Sequence, residues 1–383
     1  MGRLELYIPV GKERLRCGFT TGTCAAAAAR GAAQALLTGE FPPAVTVTTP
    51  AGVDVTAELT ACRTGPDWAE CTVVKDGGDD PDVTDGLPIT VRVARRGDGL
   101  LTVDGGAGVG RVTRPGLDQA PGAAAINSVP RRMICEQLEA ARAAVGVDTG
   151  LSAVVSVPGG EALAKRTFNP RLGIEGGISI LGTSGIVRPM SESALVDSIL
   201  LELEQARAEG VTDLLVTPGN YGLDFAQQVL HLDTHRAVSC SNYLGAVLDR
   251  AAALGFESLL LVGHLGKLAK VAAGAMNTHS NTADGRREAL CTHAALCGGD
   301  TALVRAIFEA VTTDAALELL EAAGLREPVM ASLTAALQEN LRHRAGELNI
   351  QAVVFSNRFG VLGMTPGAEE LLARHRRGEG ANP

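Results

Sequence analysis

The sequence predicts two domains in tandem, an α+β N-terminal domain followed by an α/β domain with a mainly parallel sheet. Three observations carry this. The chain has 383 residues and is 46% hydrophobic, enough for two full cores. Up to residue 172 the hydrophobic rhythm is irregular, with short β-rich pieces separated by Gly, Pro and Asp turns. From Gly173 onward, short apolar runs end in small polar loops and pass into helices, the mark of parallel βα units. The expected limits are 1–172 and 173–375, with RRGEGANP at 376–383 read as a frayed tail.

The first domain opens with a helix over Thr23–Leu37, capped by Thr20, Thr21 or Thr23 and stopped by Gly39 and Pro42-Pro43. Strands are expected at Val45–Thr49, Val53–Leu59, Cys71–Lys75, Ile89–Ala94 and Leu100–Val103. A helix near Pro130–Val145 and an apolar strand, Ala153–Val157, complete it.

In the second domain Gly177–Leu181 is read as the first strand, ending in Gly182-Thr183-Ser184-Gly185 before a helix over Ser191–Glu209. Asp213–Thr217 ends in Pro218-Gly219-Asn220, and Ala237–Cys240 ends in Ser241-Asn242 and a helix to Leu254. Ser258–Val262 ends in Gly263-His264-Leu265-Gly266-Lys267. After several helices, Ala352–Phe355 ends in Ser356-Asn357-Arg358. Loops that follow parallel strands share one sheet edge, where ligands bind.

Composition removes several classes. A formal net charge of -9, with no aromatic-plus-basic run, argues against nucleic acid as the main partner. No apolar stretch approaches the ~20 residues that span a bilayer, and MGRLELYIPVGKERLRCG lacks the apolar core of a signal peptide. The eight cysteines include no C-x-x-C pair; Cys291 and Cys297 flank His293, but three residues do not complete a tetrahedral metal site. A cytoplasmic protein with free thiols and no resident metal is expected.

Two glycine motifs match in letters only. Asp104–Gly110 fits D-x-G-x-G-x-G, the glycine-rich motif of many S-adenosylmethionine (SAM) methyltransferases. Such a loop must join a strand to a helix, and Pro115, Gly116, Pro121 and Gly122 forbid a regular helix after it. Gly263-His264-Leu265-Gly266-Lys267 has two residues between its glycines where a phosphate-binding P-loop has four, and Leu268 replaces the hydroxyl.

Charge placement says more than net charge. Basic residues sit beside glycine loops: Arg111 and Arg114, Arg131 and Arg132, Lys165 with Arg166 and Arg171, Lys267 with Lys270, Arg286 with Arg287. Arginine pairs suit carboxylates, so a small polyanion is a candidate ligand; solvated surface charge is the plain alternative. His264 at a strand end and His279 ahead of Asp284 are candidates for a general base or a hydrogen-bonding orienter.

Several long strings together resemble one family. They include GFTTGTCAAAAARGAA at Gly18–Ala33, GGAGVGRVTRPGLDQAPGAAAINSVPRRMI at Gly105–Ile134, and PGGEALAKRTFNPRLGIEGGISILGTSGIVRPMS at Pro158–Ser191. TPGNYGLDFA, CSNYLGAVLDRAAALG, GHLGKLAKVAAGAMNTHSNTADGRRE and FSNRFG continue the match to Phe359. On these residues the chain resembles the cobalt-precorrin-5B C1-methyltransferases of anaerobic cobalamin synthesis. Ala107 departs from the glutamate expected in that loop, which leaves a backbone role intact.

The resemblance implies transfer of a methyl group from SAM to carbon 1 of a ring-contracted cobalt tetrapyrrole, giving cobalt-precorrin-6A and S-adenosylhomocysteine. It implies an α+β domain followed by a Rossmann-like α/β domain. Cobalt enters only as part of the substrate, whose carboxylate arms give the basic clusters a purpose. For that substrate the candidates are Gly106, Gly108, Gly110, Arg111, Arg114, Arg131, Arg132 and Lys267. The sheet-edge rule places SAM at Gly182, Thr183, Ser184 and Gly185, at Pro218, Gly219 and Asn220, and at Ser241 and Asn242; a rival site is Gly105–Gly110. If a base acts, it is His279 oriented by Asp284, with His264 second. Two other classes stay open, an NAD(P)-dependent oxidoreductase and a non-catalytic tetrapyrrole carrier. Homo-oligomerisation and transient contact with neighbouring pathway enzymes are open as well.

Overall fold

The computed structural model describes residues 4–10 and 12–376. The chain divides into two compact units after Glu192, later than the change of rhythm in the sequence. In the first unit a helix over Thr21–Thr38 begins where Thr20 Oγ1 accepts from the Thr23 N–H at 3.3 Å and ends at Gly39, φ +85°. It buries Ala25–Ala29, Ala32 and Ala33 against the helix Ser128–Val145 and the strands Trp68–Val74 and Pro88–Arg96. Small side chains let these elements approach closely. At Gly22 an added Cβ would stand 2.8 Å from Pro130 Cγ on the neighbouring helix.

The main sheet of this unit has five strands, in the order Thr60–Thr64, Trp68–Val74, Pro88–Arg96, Gly150–Ser156, Leu101–Gly105. The last pair is parallel and the others antiparallel. Ile89, Val91 and Val93 are buried and alternate with Thr90 and Arg92, so the period of two gives one face to the core. Tyr7–Val10 with Glu13–Arg16 and Ala44–Thr48 with Asp54–Glu58 form separate antiparallel pairs.

After Leu101–Gly105 the glycine segment turns into two short strands rather than a helix. Gly108–Val109 pairs with Gly177–Ile178, and Arg111–Val112 with Ile174–Glu175. Gly108 holds φ +76°, and a Cβ there would lie 1.9 Å from the Val157 carbonyl oxygen, so no other residue fits.

The second unit is built on a sheet ordered Val238–Ser239, Asp213–Thr217, Ser258–His264, Asn349–Ser356, Gly360–Met364. The first four are parallel and the last is antiparallel to its neighbour. Alternate residues of the central strands enter opposite cores: Leu259, Leu261, Ala352 and Val354 on one face, Leu260, Val262, Val353 and Phe355 on the other. Burial on both faces explains why these strands read as unbroken apolar runs. Helices Leu244–Ala253, Leu265–Ala272 and Arg326–Ala345 cover the first face, and Asn220–Gln228 and Ala368–His375 the second.

The expected succession of an α+β domain and a Rossmann-like α/β domain is corrected. The sheets are mixed, with several short two-stranded antiparallel ladders and an antiparallel edge at Gly360–Met364. Gly177–Leu181 does not open a parallel βα series. Only Gly177–Ile178 is a strand, and it pairs inside the first unit. Ile186–Val187 likewise pairs with Gly18–Phe19. Of the expected tail, Arg376 bridges Leu232, and the remaining positions lie outside the described residues.

Candidate active site

Beyond the carboxyl ends of the parallel strands in the second unit lies a cleft of about 900 Å³. Pro218, Gly219 and Asn220 come to it from the Asp213–Thr217 strand, Asn242 from the next loop, and His264, Gly266, Lys267 and Lys270 from the central strand and its helix. Thr278, His279, Ser280 and Arg286 form one side, and Val311, Thr312 and Thr313 another. Helices Asn220–Gln228, Leu265–Ala272 and Thr313–Ala322 all begin at this cleft. Their N-termini carry partial positive charge. His264 caps the second and Thr312 the third, whereas Gly219 gives the first no side-chain cap. The lining includes three cations, Lys267, Lys270 and Arg286, and one carboxylate, Asp224.

Lys267 joins two loops. Its Nζ donates to the carbonyl oxygens of Pro218, at 2.6 Å, and Ser241, at 3.0 Å. An ammonium has three donors, and burial lowers the pKa of this one. Asn242 ties the same loop to the next segment, its carbonyl and Oδ1 accepting from the Thr278 N–H and Oγ1.

His264 packs edge-on to Phe355, with ring centroids 5.5 Å apart. Burial pushes its pKa down, opposed by the Asp314 charge. Its Nδ1 accepts from the Gly266 N–H at 3.0 Å. His279 is bound in the same way, Nδ1 accepting from the Asn281 N–H at 3.2 Å. In the neutral rings the proton therefore sits on Nε2, and both side chains offer a donor rather than a free basic lone pair. Asp284 does not orient His279 by a hydrogen bond. Arg286 grips it bidentately and holds its carboxyl down at about 2, with Lys270 Nζ at 4.0 Å.

The remaining expected residues lie in the first unit and are engaged there. Gly182 packs on Thr20; the Gly185 carbonyl accepts from the Thr20 N–H and Thr23 Oγ1; Ser184 Oγ and the Ile186 backbone bond each other beside Thr183. In the glycine segment the N–H groups of Gly106 and Gly110 donate to Val155 and Ile178 carbonyls at 2.7 and 2.9 Å. Arg111 grips Asp104 and the Gly105 carbonyl, and Arg131 donates to the carbonyls of Val103, Ala124 and Ile126. Arg132 faces Glu136 at 3.7 Å, and Arg114 lays its methylenes over Gly173.

Residues of the cleft that sequence reasoning missed include Tyr221, Asp224, Thr312 and Thr313. The first two follow Asn220 on one helix, and Asp224 shares its face at i+4. The hydroxyl of Thr312 three positions before Ala315 is an N-cap signal that could have been read. Among the described residues no group of three or more His, Cys, Asp or Glu side chains could hold a metal ion, and no helix is long and apolar enough to cross a membrane.

A cleft at the carboxyl edge of a parallel sheet, edged by helix N-termini, is where α/β proteins bind small ligands. The family described as CbiD matches residues 8–189, and its C-terminal domain matches residues 277–366. The chain belongs to the CbiD family. A protein of Ruminiclostridium cellulolyticum named cobalt-precorrin-5B C(1)-methyltransferase is 45% identical over 92% of this chain and 92% of that one. One of Alkaliphilus metalliredigens with the same name is 41% identical over 96% and 97%. A crystal structure of the cobalamin biosynthesis protein cbiD from Archaeoglobus fulgidus is 30% identical, covers 74% of this chain and 89% of that one, and has a TM-score of 0.40.

Proposed function

We propose that this chain methylates carbon 1 of cobalt-precorrin-5B, with SAM as donor, giving cobalt-precorrin-6A and S-adenosylhomocysteine in anaerobic cobalamin biosynthesis. Family membership supports the methylation step, and the cleft of the second unit is the observation that carries the choice of donor site. The methionine carboxylate of SAM matches the uncapped helix N-terminus at Gly219 and the Lys267 ammonium, and its amino group matches Asp224. SAM supplies an activated methyl group on a sulfonium.

The residues then have to bind, align and exclude water rather than form a covalent link. Carbon 1 attacks the methyl carbon, and the C–S bond breaks with its electron pair going to sulfur. His264 and His279 act as donors to ligand oxygen or nitrogen, in place of the basic role expected of them. Lys267 fixes the loops on which the donor rests.

The test is transfer of label from methyl-labelled SAM to cobalt-precorrin-5B. Label in the corrinoid together with S-adenosylhomocysteine is the expected result. Corrinoid binding without transfer would leave a carrier, and the proposal would fall.

A further inference from the structure

Lys270 is 2% exposed, yet its nearest carboxylate, Asp284, stands 4.0 Å away and is held by Arg286. Its Nζ donates instead to the carbonyl oxygens of Thr278 and Ala283, each at 3.1 Å, and to Ser280 Oγ at 3.3 Å. All three donors of the ammonium thus end on one strap, residues 277–284, which leads into the helix Arg286–Leu296. A desolvated ammonium is unfavourable unless its hydrogen bonds are made. The lysine gains the partners that its burial requires, and the strap gains a common anchor. The strap has few further ties: Thr278 to Asn242, Asp284 to Arg286, and turns within itself at His279. Thr278, His279 and Ser280 form a wall of the cleft.

We propose that Lys270 is a positioning residue that holds the 277–284 strap as a ready-made wall, so that the adenosyl ligand meets His279 and Ser280 already in place. The inference rests on the reading of the cleft as the donor site. A wall set before binding spares the ligand the entropy of ordering it. Lys267, one helical turn earlier, does the corresponding work for the loops at Pro218 and Ser241, so one short helix organises three cleft segments.

Two variants and two readouts test this. Amide hydrogen exchange follows the strap, and calorimetric titration with S-adenosylhomocysteine follows the cleft. Lys270→Met should speed exchange over 277–284 at least tenfold, leave the strands Asp213–Thr217 and Ser258–His264 unchanged, and weaken S-adenosylhomocysteine about tenfold. Ser280→Ala removes one acceptor of three and should give a smaller acceleration in the same segment; it decides the matter if Lys270→Met does not fold. Unchanged strap exchange in the folded variant overturns the proposal. Faster strap exchange with unchanged affinity also overturns it, because the wall would then not matter to the ligand. Wild-type protein that binds no S-adenosylhomocysteine sinks the donor-site reading and with it the ligand part, while exchange alone still judges the lock.

Discussion

Lys267 donates from Nζ to the carbonyl oxygen of Pro218 at 2.6 Å, reaching from its own helix to the loop after a neighbouring strand. The second bond, to Ser241, makes the lysine a tie between the ends of two neighbouring parallel strands. Lys267→Met should release both loops. We expect about a hundredfold loss in labelled methyl transfer, as for a misplaced binding group, and about 1–3 kcal/mol of stability from the unpaired carbonyls. Kinetics and urea unfolding measure the two, and a variant with wild-type transfer would rule the tie out as functional.

His264 should be replaceable as a cap. Its Nδ1 accepts from the Gly266 N–H at the start of Leu265–Ala272, a role that the Oδ1 of asparagine can fill. His264→Ala is expected to lose about 1 kcal/mol, and His264→Asn distinctly less. Equal losses in urea unfolding would show that the capping bond contributes little.

Stability should fall in mild acid. Burial lowers the pKa of His264, His293 and His375 from the ordinary 6.5. Between the folded and unfolded values the unfolded chain holds more protons, so stability rises with pH. This contribution is complete above about pH 6.5 and is lost as pH falls through the lower folded values. Urea midpoints compared at about pH 7.5 and pH 5.5 should be lower at the acid value; an unchanged midpoint would count against the desolvation of these three rings.

The glycine segment should respond as architecture. Gly108→Ala forces a Cβ onto the Val157 carbonyl at a positive φ and should cost about 3 kcal/mol or more. Arg111→Gln removes an exposed pair with Asp104 and should cost less than about 1 kcal/mol. Thermal unfolding of the two variants separates them. A large effect on methyl transfer from Arg111→Gln, with stability intact, would restore that arginine as a ligand clamp.

What was legible in the sequence was local. The helix Thr21–Thr38 has its cap, its alanine run and its stop within one stretch, and the strands Asp213–Thr217 and Ser258–His264 announce themselves by unbroken apolar runs. The loops after those strands do meet in the cleft, at Pro218, Gly219, Asn220, Asn242 and Lys267. What misled was pairing at a distance. Gly177–Ile178 looks like a leading strand until its partner, Gly108–Val109, is known. Arg111 and Arg131 look like free cations because the carbonyls and carboxylate that engage them come together only on folding. Asp224 gave no chemical pattern at all; only the helix geometry brings it to the cleft, beside the Lys267–Lys270 pair that the sequence did mark.

The alanine helix of the first unit has a further consequence. Alanine has no side-chain rotamers to freeze, so burying Ala25–Ala29, Ala32 and Ala33 loses almost no torsional freedom. Each contributes little apolar area in return, and the helix is held by closeness of fit to its neighbours. A leucine there would add area but find no room, at about 1–3 kcal/mol of overpacking. The segment can therefore tolerate very little evolutionary enlargement.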